Sequence, residues 1–127
     1  MKRMQKPHKN LEAWRKGMKL VQTVYVVTRS FPAAERFGLS GQIRRAAVSI
    51  VANLAEGAAR QNPREFSRFI QIAAGSASEL DTLLEVSARV GLLNQQTWEM
   101  VDTRLAEVVR LLFGLRRWLH HQLPSKS

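Results

Sequence analysis

The sequence predicts an all-α protein, an antiparallel four-helix bundle in up-down-up-down order. Four segments carry apolar residues at helical spacing, and only short breaks separate them. Short connections between long helices favour antiparallel neighbours. The one β-prone run, residues 24–28, lies inside a longer helical stripe, so we assign it to a helix.

The first predicted helix runs from about Leu11 to Phe31 and stops before Pro32, because proline disfavours the α conformation in the residue before it. Its apolar residues form two adjacent stripes, which indicates a helix that is covered on more than one side. The first stripe contains Trp14, Met18, Val21, Tyr25 and Thr28. The second contains Leu20, Val24, Val27 and Phe31.

The second predicted helix runs from about Leu39 to Ala55, and Gly57 suits its C-terminal cap.

The fourth predicted helix begins near Asn94, and Pro124 should stop it. Its apolar residues alternate three and four apart, the heptad pattern of helices that pack at a shallow angle. These are Trp98, Val101, Leu105, Val108, Leu112, Leu115 and Leu119.

The third predicted helix has the clearest start in the chain. Asn62 is a good N-cap, Pro63 fits the first turn, and Glu65 completes a capping box. The helix should end at Val90, followed by Gly91.

Length and composition predict one domain over residues 1–127, with about 11–123 ordered and with residues 1–10 and 124–127 as tails. Cysteine is absent, which excludes disulfides, thiolate zinc sites and cysteine nucleophiles. No apolar run approaches the roughly 20 residues of a membrane span, and no signal peptide is evident. We therefore expect a cytoplasmic protein without membrane contact.

The charge is unusually positive, with a formal net charge of +10. Residues 1–68 hold 14 Lys and Arg against 4 Asp and Glu, whereas residues 69–127 hold 6 against 6. This excess predicts affinity for polyanions, either nucleic acid or an acidic protein surface.

Polar residues also interrupt the predicted interface between the second and third helices. Arg44, Arg45, Asn53 and Glu56 lie in the second helix, and Glu79 lies in the third. In an antiparallel hairpin about Gln61, residues lie level when their numbers sum to about 122. Arg44 or Arg45 should then face Glu79 or Ser78, and Glu56 should face Arg64 or Arg68. We therefore predict structural polar pairing, which fixes register more than it adds stability.

Sequence motifs for catalysis are missing. There is no Gly-x-Gly-x-x-Gly, no phosphate loop and no Glu-x-x-His pair of the kind that di-iron bundles use. His120 and His121 are adjacent, so their side chains should point to different faces of a helix. We predict no enzyme, no catalytic or metal-binding residue and no cofactor.

Basic residues at helical spacing are the best candidates for a functional surface. Arginine and lysine stripes contact phosphates without reading bases. No exposed aromatic residue is expected to interleave with these stripes, so a base-stacking platform is not predicted. The predicted nucleic-acid contacts are Arg60, Arg64 and Arg68 near the start of the third helix and Arg15, Lys16 and Lys19 on the first.

The run from Ile43 to Ile50, followed by residues 53–57, resembles the signature of a bacterial family of four-helix-bundle proteins. These proteins were first noted in intervening sequences of 23S rRNA genes. The resemblance covers about residues 11–120 in order. Val51 and Ala52 depart from it, since the family usually has Pro and Ser there, and we expect a weaker kink in the second helix or none.

The accessory variability determinants of diversity-generating retroelements are similar to this family. The resemblance implies an antiparallel bundle that assembles as a homo-oligomeric ring, typically a pentamer. In the retroelement branch it also implies a basic surface that engages RNA or DNA and a reverse transcriptase.

Two function hypotheses follow. The first is a homo-oligomeric basic module that contacts nucleic acid through phosphates. The alternative is a protein-interaction scaffold whose basic face meets an acidic protein partner, such as a reverse transcriptase that it serves as an accessory subunit.

Overall fold

The computed structural model describes residues 6–123, and these contain four α-helices and no strand. The helices are α1 (Glu12–Thr28), α2 (Leu39–Ala59), α3 (Pro63–Arg89) and α4 (Gln95–His121). Short 3-10 turns lie at Pro7–Asn10 and Ala33–Glu35. The all-α, four-helix prediction is confirmed.

Each helix packs against two others, α1 on α2 and α4, and α3 on α2 and α4. In these pairs the start of one helix lies near the end of the other. Arg44 in α2 bonds to Thr28 at the end of α1, and Gly17 of α1 lies against Val51 farther along α2. The contacts are consistent with the predicted up-down-up-down order.

The core runs along the inner faces of all four helices. In α1 it uses the second predicted stripe, with Leu20 and Val24 fully buried, whereas Met18 and Tyr25 of the first stripe remain partly exposed. In α4 it uses the predicted heptad, because five of the seven positions are buried, namely Val101, Leu105, Val108, Leu112 and Leu119.

The predicted start and end of α3 are largely confirmed. The Asn62 side chain accepts hydrogen bonds from the backbone of Arg64 and Glu65 at 3.0 and 3.1 Å. At the other end Gly91 has φ +84, and Leu92 N–H donates to the carbonyl of Ser87 at 2.9 Å. The capping box is only half formed, because the Glu65 carboxylate accepts from Arg68 instead.

Gly57 does not cap α2, which continues without interruption to Ala59. Gly57 is buried inside the last turns, where an added Cβ would lie 2.8 Å from Cβ of Phe69. The left-handed position expected of a terminal glycine falls on Gln61, with φ 54. A glycine that permits close packing and one that ends a helix look alike in sequence.

Part of the predicted N-terminal tail is ordered. Residues 7–10 form a 3-10 turn that packs against α1 and α2. The ring of His8 meets the ring of Trp14 edge-on at 4.8 Å between centroids. The remaining predicted tail, residues 1–5 and 124–127, lies outside the described residues.

Within residues 6–123, no helix combines the length and the apolar character that crossing a bilayer requires.

Candidate nucleic-acid interface

The α3 stripe, defined as Arg60, Arg64 and Arg68, contains two arginines that contact the same aromatic ring. Arg60 lies at the C-terminal cap of α2, not on α3 itself. The guanidinium carbons of Arg60 and Arg68 lie 5.3 and 4.6 Å from the ring centroid of Phe69. Cation–π attraction to one ring therefore links the end of α2 to the start of α3.

The α1 cluster, defined as Arg15, Lys16 and Lys19, lies elsewhere on the surface. Lys16 and Lys19 line a groove with Arg104 and Glu107 of α4. Lys16 Nζ lies 3.3 Å from a carboxylate oxygen of Glu107, and Arg15 donates to the carbonyl of Lys9 at 3.0 Å. The structure does not bring this cluster into the grooves that border the α3 stripe.

Three of these six predicted contact residues form ion pairs within the chain. Lys16 pairs with Glu107, Arg60 with Glu56, and Arg68 with Glu65, the last two at 3.0 Å. All three pairs have side chains at least 36% exposed. Exposed pairs of this kind contribute about 0–1 kcal/mol, so a phosphate can compete with the carboxylate for the cation.

Four groups that the sequence analysis left out of the interface lie at the end of α4. Arg116, Arg117, His120 and His121 line one open groove, together with Phe113, and we call this the α4 groove. The two histidines thus share a groove, although their side chains were expected on different faces of the helix. Arg64, Arg68 and His120 line a second, here called the α3–α4 groove, with Ser67, Gln71 and Leu123. Because His120 borders both grooves, the two form one continuous surface.

The sequence did contain a signal for the α4 groove. Phe113, Arg116, Arg117 and His120 stand at positions i, i+3, i+4 and i+7, which place them on one helical face. Nothing in the sequence, however, indicates that this face meets the start of α3, which lies about fifty residues earlier.

Acidic residues lie farther along the same pair of helices. Asp81 of α3 and Asp102 of α4 line a groove with Arg110, closer to the turn that joins the two helices. Partial burial raises the pKa of Asp81 above its ordinary value, and the nearby charges of Asp102 and Glu85 raise it further. The α3–α4 face is therefore acidic toward one end and basic toward the other.

The polar seam between α2 and α3 has a different register from the prediction. The predicted register places Ser49 level with Ala73, whereas the hydroxyls of Ser49 and Ser76 lie 2.8 Å apart. Asn53 donates to the carbonyl and the hydroxyl of Ser49 at 2.8 and 3.1 Å. The seam is thus built from hydroxyls and one amide.

The predicted partnership of Glu79 with Arg44 or Arg45 is not present among the ion pairs of residues 6–123. Arg44 instead donates to the Thr28 hydroxyl at 2.9 Å and lies over the Tyr25 ring at 4.6 Å. Glu79 and Arg45 are exposed. Their exposure explains why this pair does not form, and Glu56 pairs with Arg60 instead of the predicted Arg64 or Arg68.

The side chains at the basic end offer charge and hydrogen-bond donors. Guanidinium groups bind phosphate through paired N–H donors, and the positive end of the α3 dipole adds to their field. Within the described part of the chain, no group of three or more histidine or carboxylate side chains could hold a metal ion. The arrangement is suited to binding an anion.

A crystal structure from Bacteroides thetaiotaomicron VPI-5482, of a protein with unknown function from the S23 ribosomal protein family, is similar to this chain. The TM-score is 0.73 at 25% sequence identity, and the match covers 82% of this chain and 97% of that one. No curated protein matches the sequence. The sequence profile of the family described as 23S rRNA-intervening sequence protein matches residues 9–114. The chain therefore belongs to the 23S rRNA-intervening sequence protein family.

Proposed function

We propose that this chain is a non-enzymatic, homo-oligomeric module that binds nucleic acid through phosphate contacts. The observation that carries the proposal is the continuity of the α3–α4 groove with the α4 groove at His120. It joins cations from two distant parts of the sequence on one surface.

The distribution of charge supports a polyanion as the ligand. Arg64 and Arg68 are exposed, as are Arg117 and both histidines. Their grooves contain no acidic side chain. Arg68 also pairs with the exposed Glu65, but the basic side chains outnumber this carboxylate. Such an excess of positive charge concentrates a polyanion and contacts the phosphates of any sequence.

Exposed apolar residues support self-association. Met18 and Tyr25 of α1 and Val48 of α2 are each 38–40% exposed, and α1 and α2 pack against each other. A second copy of the chain would cover such residues. Light scattering at micromolar concentration should give a multiple of 14.4 kDa, and a monomer mass would contradict this part of the proposal.

The binding test compares two double variants that remove the same charge. Arg64→Gln with Arg68→Gln alters the α3–α4 groove, whereas Arg29→Gln with Arg89→Gln alters the ends of α1 and α3. Arg89 lies roughly 30–40 Å along α3 from the groove pair, given about 1.5 Å per helical residue. Circular dichroism should show that both variants remain helical.

We expect the groove variant to weaken RNA and DNA binding across all sequences. On duplex DNA it should also flatten the log–log salt slope by about 1.8, since each lost phosphate contact contributes about 0.9. The control should leave the slope nearly unchanged. Equal effects of both variants would show that only net charge matters and would remove the grooves as the site.

Absence of any RNA or DNA retention at low salt would refute nucleic-acid binding. In that case the acidic-protein scaffold becomes the better proposal. A reverse transcriptase encoded beside this gene would then be the first partner to test.

A further inference from the structure

Phe113 is an exposed aromatic residue that lines a groove rich in basic side chains. It lies in α4 and is 43% exposed. The other side chains that line the α4 groove are Arg116, Arg117, His120 and His121. The sequence-based expectation of no exposed aromatic residue concerned the basic residues of the first helix and of the start of the third, and Phe113 belongs to neither group.

We propose that the α4 groove binds single-stranded nucleic acid, with one base stacked on Phe113 and the adjoining phosphates held by the surrounding cations. This inference rests on the proposed function and gives it a substrate class. The juxtaposition of an exposed ring with four nitrogen-rich side chains on one helix carries it.

The preference for single strands follows from access to the base. A ring can stack on a base only where the face of that base is free, and in a duplex both faces are covered by neighbouring base pairs. Phosphate contacts alone would favour a duplex, because its charge density is higher. An exposed ring among the cations therefore reverses the preference expected from charge.

The path of the strand follows from the grooves. The α4 groove has a volume of about 360 Å³ and is open to solvent, so it accommodates a small part of a strand and not a folded domain. Beyond His120 the surface continues into the α3–α4 groove, where Arg64 and Arg68 lie. A strand with one base on Phe113 would meet these arginines with its next phosphates.

The test uses fluorescent oligothymidylate and its duplex with oligoadenylate. Phe113→Leu removes the ring but keeps an apolar side chain. Trp118→Leu is the matched control, because Trp118 is 57% exposed on the same helix but does not line the α4 groove. Phe113→Trp keeps an aromatic face and should retain binding.

We expect Phe113→Leu to weaken binding to the single strand roughly 5- to 150-fold, which corresponds to the 1–3 kcal/mol per stacked base. Binding to the duplex and the salt slope should not change, because no phosphate contact is lost. Trp118→Leu should leave binding to both the single strand and the duplex unchanged.

Four results would overturn the inference. Equal losses of single-strand and duplex binding for Phe113→Leu would show that the ring does not select unpaired bases. A loss from Trp118→Leu without one from Phe113→Leu would place the ring outside the site. A changed mass for Phe113→Leu in light scattering would mean that a second copy of the chain covers the ring. If the wild-type protein binds both oligonucleotides and Phe113→Leu binds normally, this inference fails while the phosphate-binding function stands.

Discussion

Gly17 and Gly75 are both helical glycines, but their surroundings are opposite. Gly17 is buried where α1 packs against α2, and a Cβ added there would lie 2.6 Å from Cγ1 of Val51. Gly75 is exposed in the middle of α3, and a Cβ there would meet nothing within 4 Å. Substitution by alanine therefore separates helix propensity from packing.

The expected free energies can be worked out from these distances. Alanine is favoured over glycine by about 1 kcal/mol inside a helix, so Gly75→Ala should stabilise the protein by about that amount. Gly17→Ala has the same gain, but forcing a methyl group into a packed contact costs about 1–3 kcal/mol. Val51 is β-branched and cannot turn away easily. The net effect at Gly17 should be a destabilisation of about 0–2 kcal/mol.

Urea unfolding followed by circular dichroism measures both effects, at equal protein concentration so that any self-association contributes equally. Val51→Ala should remove the contact, so that the Gly17→Ala/Val51→Ala double variant is more stable than the two single effects predict. We expect a coupling of at least about 1 kcal/mol. The reasoning is refuted if Gly17→Ala stabilises the protein as much as Gly75→Ala does.

Two further substitutions test features of the surface. Gln61→Gly should raise the free energy of unfolding by up to about 1 kcal/mol in urea titration, because φ 54 is costly for a residue with a side chain. No gain would mean that Gln61 is not in the left-handed region in solution. Ionised Asp81 destabilises the fold, because burial and then Asp102 and Glu85 raise its pKa above 3.8. Asp81→Asn should therefore stabilise at neutral pH by up to about 0.5 kcal/mol, and the gain should vanish below pH 3.8. Glu79→Gln makes the same charge change on α3, and an equal pH dependence there would contradict the role of burial.

The helices could be predicted because their signals are local. Apolar spacing identifies the buried face of α4, and the side chain of Asn62 identifies the start of α3. The register of α2 relative to α3 has no such local signal, because a shift of three residues keeps the apolar faces of both helices inward. This is why Ser49 meets Ser76, and why Glu79 forms no ion pair with an arginine of residues 6–123.

Only half of the candidate site could be predicted from the sequence. A segment with no net charge can still carry its basic and acidic residues in different parts of the structure. Residues 69–127 hold equal numbers of basic and acidic side chains. The acidic residues lie between Glu79 and Glu107, whereas Arg116 and Arg117 come after them. The zero net charge of this segment therefore gave no sign of the basic end of α4. Only the packing of α4 on α3 brings that end close to Arg64.

Because the α3–α4 face is acidic toward one end and basic toward the other, the symmetry of an oligomer would decide where its basic ends lie. Cyclic symmetry about an axis parallel to the helices points every copy the same way and collects all basic ends on one side of a ring, whereas dihedral symmetry divides them between two sides. A one-sided ring leaves its opposite side free for a different partner. It also brings like charges of neighbouring copies together, and salt screens their repulsion, with a Debye length of about 8 Å at physiological ionic strength. Ring formation itself should then strengthen as salt rises, opposite in sign to the binding of nucleic acid.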